Sequence, residues 1–230
     1  GKEIVCMNGT YENIDCMELM ACYPDKHFDL AIVDPPYGIG ANKMTLGNGK
    51  NKIYRGQNDW DKTIPNKEYF EELFRVSKNQ IIWGGNYMTE FLKPTSSWLF
   101  WDKGTGNNSY ADGELAWTSF NLAVRKFFNS WVGANAKNTT ERIHPTEKPV
   151  KLYEWLLTNY AKPNDLILDT HCGSASSLIA CENLGFKYIA SELDKDYYHQ
   201  SLQRLEAHLA QGKLFQRSGA TEFKEVNLFE

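Results

Sequence analysis

Asp34, Pro35, Pro36 and Tyr37 stand in a row behind the apolar run Leu30, Ala31, Ile32 and Val33. The run reads as a strand buried on both faces. Neither proline has an N–H, so the chain must leave the sheet there, stiffly, with Asp34 at the carboxyl end of the strand. Tyr37 adds a flat ring, and Gly38 and Gly40 let another backbone or a ligand come close. An acceptor carboxylate, carbonyls on a rigid turn and an aromatic plate form a cup suited to a planar ring with an exocyclic amine. A plain strand end with a Pro-Pro turn would use the same four residues.

Asp169 to Ser177 (DTHCGSASS) is the second stretch with chemistry in it. A strand, an acid, a small-residue turn and a helix start follow one another there. Gly173, Ser174, Ala175 and Ser176 let backbone N–H groups approach a ligand, and a helix N-terminus favours a carboxylate. Glu192 lies about twenty residues on, at the end of the next strand, where nucleotide folds place an acid on ribose hydroxyls. No GxGxxG fingerprint is present, which points to a nucleoside cofactor without a pyrophosphate rather than to NAD.

These stretches need a frame. Strand-like runs at 30–33, 80–83, 98–101, 115–120, 166–168 and 188–190 alternate with helical patterns at 67–77, 150–160, from the DTHCGSASS turn through 184, and 196–209. That predicts an α/β fold, a doubly wound and mostly parallel sheet in a single domain. An edge strand at 4–7, a helix over 11–23 and a short helix over 86–92 complete the reading. Residues 121–144 read as irregular and 211–230 as a loose C-terminal tail, so the domain is set at 1–210.

Composition narrows the function classes. A chain of 230 residues can bury a sizeable core, and no apolar run approaches a membrane span. No signal peptide is expected from the composition of the first residues. The five cysteines are odd in number and form no CxxC pair, which favours reduced thiols in a cytoplasm over disulfides, and no metal site is expected. The net charge of −4 is uneven: residues 41–62 and 103–151 each net +3, leaving −10 elsewhere. Basic patches on an acidic body can meet phosphates. The expected DNA contacts are Lys43, Lys50, Lys52 and Arg55 in the first patch, and Arg125, Lys126, Lys137 and Arg142 in the second. Solvated loops would carry the same charges.

DPPY at 34–37, HPTEKP at 144–149, DTHCGSASS at 169–177 and the acid at 192 together resemble the S-adenosylmethionine-dependent DNA amino-methyltransferases. The match is to the permuted class in which the DPPY motif precedes the cofactor motif, as in phage or prophage enzymes. It runs from about Asp15 to Leu209, and the GGN at 84–86 and ADGELAWTS at 111–119 also look like family segments. The resemblance implies a Rossmann-like methyltransferase that acts on the N6 amine of a flipped-out adenine. Asp34 and the Pro35 carbonyl would accept from the amine, with Pro36 shaping the turn and Tyr37 stacking on the base. Asp169, His171, Cys172, Gly173, Ser174, Ala175 and Ser176 would hold the methionine part of the cofactor, next to Asp34. Glu192 would bind its ribose, Asp15 its adenine, and Thr146 and Lys148 would close the methionine end. As a helix N-cap, Asp15 has an equally good structural reading. Ala175 departs from the family, which usually has glycine there; if φ is positive at that position, alanine is disfavoured.

The resemblance further implies a bacterial or phage-infected cytoplasm, a monomer or homodimer, DNA as partner, and in some cases a restriction endonuclease beside it. Cytosine-N4 methylation is the first alternative, since it uses the same cup. A catalytically silent nucleic-acid-binding relative, its cofactor loop decayed at Ala175, is the second.

Overall fold

The computed structural model describes residues 8–39, 63–105, 111–130 and 147–218, with side chains as far as residue 211. In chain order the elements are β1 (Gly9–Glu12), α1 (Cys16–Ala21), β2 (Phe28–Val33), α2 (Lys67–Val76), β3 (Ser77–Trp83), β4 (Trp98–Asp102) and β5 (Gly113–Thr118). They continue with β6 (Arg125–Phe128), α3 (Val150–Tyr160), β7 (Leu166–Asp169), α4 (Ser176–Leu184), β8 (Lys187–Ser191) and α5 (Lys195–Ser218). The strands form one sheet in the order β1-β8-β7-β2-β3-β5-β4-β6. All pairings are parallel except those of β5, which runs against both β3 and β4.

The central strand has the two-sided burial expected of its continuous apolar run. Leu30 and Ile32 pack into a cluster with Leu152 and Leu156 of α3, Leu178 of α4 and Leu205 of α5. Phe28, Ala31 and Val33 face the other way, onto Leu19 and Met20 of α1 and Tyr69, Phe70 and Leu73 of α2. Helices therefore cover both faces, and from Leu30 to Val33 the side chains alternate between them.

Winding direction changes at β2. The chain steps from β2 through α2 to β3 on one side, while β7 lies on the other and leads through α4 to β8. Helices α2 and α4 belong to opposite faces, so the carboxyl ends of β2 and β7 mark the switch point of the sheet, the place where open α/β sheets bind ligands. The parallel register pairs Leu30 with Ile167 and Ala31 with Leu168, which brings Asp34 and Asp169 to the same edge of the sheet.

Several expected boundaries move. Residues 9–12 form β1, paired with β8, and the helix expected over 11–23 is confined to Cys16–Ala21. Tyr11 is buried in that pairing and its hydroxyl meets Ser201 Oγ at 2.7 Å, so tertiary contact outweighs the helical spacing. The strand expected at 4–7 lies outside the described residues. The short helix expected over 86–92 is a 3₁₀ turn at Gly85–Tyr87. Residues 125–128, expected to be irregular, form β6, because its backbone pairs with β4 whatever its exposed side chains are. Helix α5 runs to Ser218, past the expected start of the tail at 211.

Asp29 fixes the entrance to the central strands. Its Oδ2 accepts from the Leu166 amide at 2.9 Å and its Oδ1 from Lys78 Nζ at 2.6 Å, tying β2 to β7 and to β3. The Lys78 pair is largely solvated and contributes little. Asp29→Ala is expected to lower unfolding free energy by about 1–2 kcal/mol, mostly through the Leu166 amide. Asp29→Asn, which can still accept that amide, should lose less; urea denaturation of both variants measures this.

Candidate active site

Asp34 sits just past β2, at the sheet edge the register defines. Its Oδ1 accepts from the Tyr37 hydroxyl at 2.6 Å and its Oδ2 from Lys148 Nζ at 2.5 Å. Pro35 is buried beneath the turn, and Pro36 and Tyr37 are partly exposed above it. The Tyr37 ring lies nearly parallel to Tyr87, with centroids 5.4 Å apart and planes 18° apart. Gly84 makes room for it: a Cβ there would fall 2.2 Å from Tyr37 Cε1, and the residue has φ +69°. Both constraints require glycine at the end of β3.

Lys148 comes from the segment ahead of α3 and is buried, with 1 % of its side chain exposed. Its ammonium lies within 3.0 Å of Glu114 Oε2 and donates to the Tyr37 hydroxyl at 3.1 Å. The ring of Trp83 lies beneath it at 5.4 Å. Glu114, on β5, accepts in turn from Lys103 at 2.5 Å and from Tyr37 at 3.1 Å. Burial pushes Asp34 above the usual carboxylate range, and Glu114 adds to this against the pull of Lys148. Burial acts the same way on Glu114, but Lys148 and Lys103 overcome it and hold that carboxyl down at about 2. Lys148, between the two acids, stays charged.

The second half of the site follows β7. Asp169 is buried; its Oδ1 accepts from the His171 amide at 3.0 Å and its Oδ2 from Ser177 Oγ at 2.5 Å. Burial outweighs those two bonds and raises its carboxyl to about 7. His171, stripped of solvent, is lowered to about 4 and is neutral at physiological pH. Cys172 is buried and its thiol pushed up, first by burial and then by Asp169 and Glu192, so it is no nucleophile. Glu192 Oε2 accepts from the Gly173 amide at 2.9 Å and Oε1 from the Asp194 amide at 2.9 Å, which holds the turn and the end of β8 together.

Ala175 occupies the N-cap position of α4 with φ +61° and offers no side-chain oxygen to the first N–H groups of the helix. The left-handed backbone that glycine would take freely is thus held by alanine, at a cost of roughly 1 kcal/mol. Its buried methyl offsets part of that, at about 0.8 kcal/mol for such a group.

The structure brings Asp34, Tyr37 and Lys148 together, and groups Asp169, His171, Cys172, Gly173, Ser174, Ala175, Ser176 and Glu192 at the neighbouring turn. The resemblance implies that Lys148 closes the methionine end; its ammonium instead lies on Asp34 and Glu114. Asp15 caps α1, its Oδ1 accepting from the Met17 amide at 2.7 Å. Arg125 and Lys126 are exposed on β6, four strand positions from β2, or roughly 19 Å along the sheet at the usual spacing. Lys126 pairs with Asp102 at 3.2 Å. Thr146, Lys43, Lys50, Lys52, Arg55, Lys137 and Arg142 lie outside the described residues.

Sequence reasoning missed four participants. Glu114 and Tyr87 lie in or beside the ADGELAWTS and GGN segments, whose resemblance was their only signal. Lys103 had none. Arg204, on α5, donates to the Ser174 carbonyl at 2.7 Å and Ser176 Oγ at 2.9 Å, and pairs with Glu147 at 3.2 Å. It thereby ties the turn after β7 to the residue beside Lys148. Among the described residues no cluster of three His, Cys, Asp or Glu could hold a metal, and no helix is long and apolar enough to cross a membrane.

Asp169 gives this half of the site a pH signature. Its carboxyl is raised in the folded protein, so its contribution to stability is present below the unfolded value near 4 and is lost as pH rises through about 7. Asp169→Asn does not titrate. Its stability relative to the parent protein should therefore grow between pH 4 and pH 7 and level off above; melting temperatures across that range test it.

Comparison with known proteins agrees with this geometry. Residues 103–203 match the family described as DNA methylase (N6_N4_Mtase), a span that includes Glu114, Lys148, the turn after β7 and Glu192. The type II methyltransferase M.HpaI of Haemophilus parainfluenzae is 26 % identical over 227 residues, covering 80 % of this chain and 69 % of its own. The putative methylase YubD of Escherichia coli K12 is 26 % identical over 217 residues, covering 84 % of this chain and 88 % of its own. Among solved structures, an M1.HpyAVI–SAM complex superposes with TM-score 0.56 at 18 % identity, over 86 % of this chain and 98 % of that one. The cytosine-N4-specific PvuII DNA methyltransferase gives 0.55 at 16 %, over 89 % and 92 %. The DPPY turn and the turn after β7 meet at one sheet edge, and the second of them lies within the 103–203 span that is similar to the N6/N4 DNA methylase family.

Proposed function

We propose that this protein transfers a methyl group from S-adenosylmethionine to the N6 amine of adenine in DNA. The observation that carries the reading is Asp34, an acceptor carboxylate one strand away from the turn that ends β7. An adenine N6 lone pair is delocalised into the ring and is a poor nucleophile. A carboxylate that accepts an N–H from it draws the nitrogen toward a tetrahedral geometry. With the cofactor's sulfonium methyl presented to that nitrogen, Asp34 would accept the proton that the amine must shed on methylation. The target base is out of reach inside a duplex and must be flipped out, at a cost of a few kcal/mol. Tyr37, paired with Tyr87, supplies an aromatic wall for it.

The donor set suits this cofactor. Glu192, close to buried and fixed by two backbone amides, is an acceptor for ribose hydroxyls. Asp169 is an acid able to face an ammonium, and the N-terminus of α4 favours a carboxylate. Bound there, the cofactor supplies an activated methyl on a sulfonium. The likeness to M1.HpyAVI and to a putative DNA modification methylase from Thermus thermophilus, both named as complexes with this cofactor, supports the assignment. Arg125 and Lys126, exposed on β6 at the far edge of the sheet from β2, suit phosphate contacts rather than contact with the reacting base.

Cytosine-N4 transfer is the second reading, favoured by the fold match to the PvuII enzyme. Asp34 weighs against it, since the N4 enzymes that this chain resembles more often carry serine there. Incubation with labelled cofactor and mixed DNA, followed by nucleoside mass spectrometry, is expected to give N6-methyladenine. N4-methylcytosine alone, or methylated RNA without methylated DNA, would overturn the reading. In calorimetry without DNA, Glu192→Ala should weaken cofactor binding by about 10–100-fold, as loss of a charge-assisted hydrogen bond does; unchanged affinity would remove Glu192 from the cofactor site.

A further inference from the structure

We propose that Glu114 is a positioning residue for methyl transfer: it shares Lys148 and Tyr37 with Asp34 and so keeps the Asp34 carboxylate able to accept from the amine. The inference rests on the reading of Asp34 given above. It starts from the three N–H donors of a buried ammonium, each of which needs a partner. Lys148 finds Asp34 at 2.5 Å, Glu114 at 3.0 Å and Tyr37 at 3.1 Å. Tyr37, in turn, lies within hydrogen-bond distance of both acids, at 2.6 and 3.1 Å. Asp34 and Glu114 are thus two carboxylates competing for the same cation and the same hydroxyl.

Charge alternates along the cluster: Asp34, Lys148, Glu114, Lys103. The two lysines lie over the faces of Trp83 and Trp101, at 5.4 and 4.8 Å, which limits where they can move. With Glu114 charged, Lys148 is divided between two anions, and its hold on Asp34 is weaker than in a simple pair. Without that charge, Lys148 would neutralise Asp34 alone, and the carboxylate would be a poorer acceptor for an amine proton. Glu114 raises Asp34, and Lys148 lowers it, in keeping with this geometry.

Other groups also face Asp34. Tyr69 of α2 and Tyr153 of α3 are buried and held protonated, so they do not titrate in the working range. Asp169 of β7, with its carboxyl at about 7, does, and its ionisation must be separated from that of Asp34.

The test uses the whole chain with ¹³C-labelled aspartate, the Asp34 signal being assigned by its absence in Asp34→Asn. Glu114→Gln keeps the size and an acceptor oxygen but loses the charge. The Asp34 titration should move to lower pH, and the acid limb of the kcat profile should move with it. At neutral pH kcat should fall on the order of tenfold, within the usual reach of a proton-transfer contribution, while cofactor and DNA affinities stay within about twofold. Lys103→Met, which leaves Glu114 charged and less neutralised, should move both titrations the opposite way, and Glu114→Asp should recover part of kcat. An unchanged Asp34 titration in Glu114→Gln would overturn the proposal. A shifted titration with unchanged kcat and acid limb would also overturn it, because the coupling would then have no catalytic consequence. A parent protein that methylates no DNA would overturn the reading of Asp34 itself, and the positioning role with it, whatever the titration does.

Discussion

Under the proposed function Asp34 must stay available to an incoming amine, so its carboxylate can be neither left bare in its turn nor fully neutralised. Asp34 meets that constraint by sharing one cation, Lys148, with a second acid, Glu114. Removing one partner of a buried pair leaves an uncompensated charge, which is strongly destabilising. The three side chains therefore have to arrive together. They come from β2, from the segment ahead of α3 and from β5, so the cluster forms only when the sheet is assembled across its centre. Tyr37 and the two tryptophan faces complete the enclosure.

The sheet brings this acceptor next to the turn after β7. Parallel pairing of β2 with β7 puts Asp34 and Asp169 at one edge, and helices α2 and α4 lie on opposite faces of the sheet. The two halves are chemically different. Around Asp34, anions and cations balance. Around Asp169, no cation among the described residues offsets the carboxyl; burial dominates and leaves it at about 7. A cationic ligand would find its natural counter-charge there. Arg204 reaches across from α5 to Glu147 and to the Ser174 carbonyl, so the segment carrying Lys148 and the turn carrying Gly173 are braced by one side chain.

The centre of the fold was readable in the sequence because its signals are local. The run Leu30–Val33, the Pro-Pro stop and the helix over 150–160 depend on nearest neighbours and periodicity, and each is found where expected. Strands β1 and β6 were missed because pairing with β8 and β4, not their own pattern, makes them strands. The same division holds in the site. Asp34, Tyr37 and the Asp169–Ser176 turn stand in contiguous motifs. Glu114 is 80 residues from Asp34, on a strand whose antiparallel insertion between β3 and β4 could not be read from spacing. Ala175 shows the reverse case: its departure from glycine was visible in the sequence, and its positive φ is what gives that departure a physical cost.

The proposed function puts Asp34 on the reacting amine. Asp34→Asn keeps the shape and can still accept from Lys148, but it lacks the charge needed to draw on the amine and take its proton. Single-turnover methyl transfer to DNA, measured beside cofactor and DNA affinities in the same preparation, tests this assignment directly. Transfer should be abolished while both affinities stay within a few-fold of the parent protein. Transfer at an undiminished rate, or its loss together with cofactor binding, would contradict it.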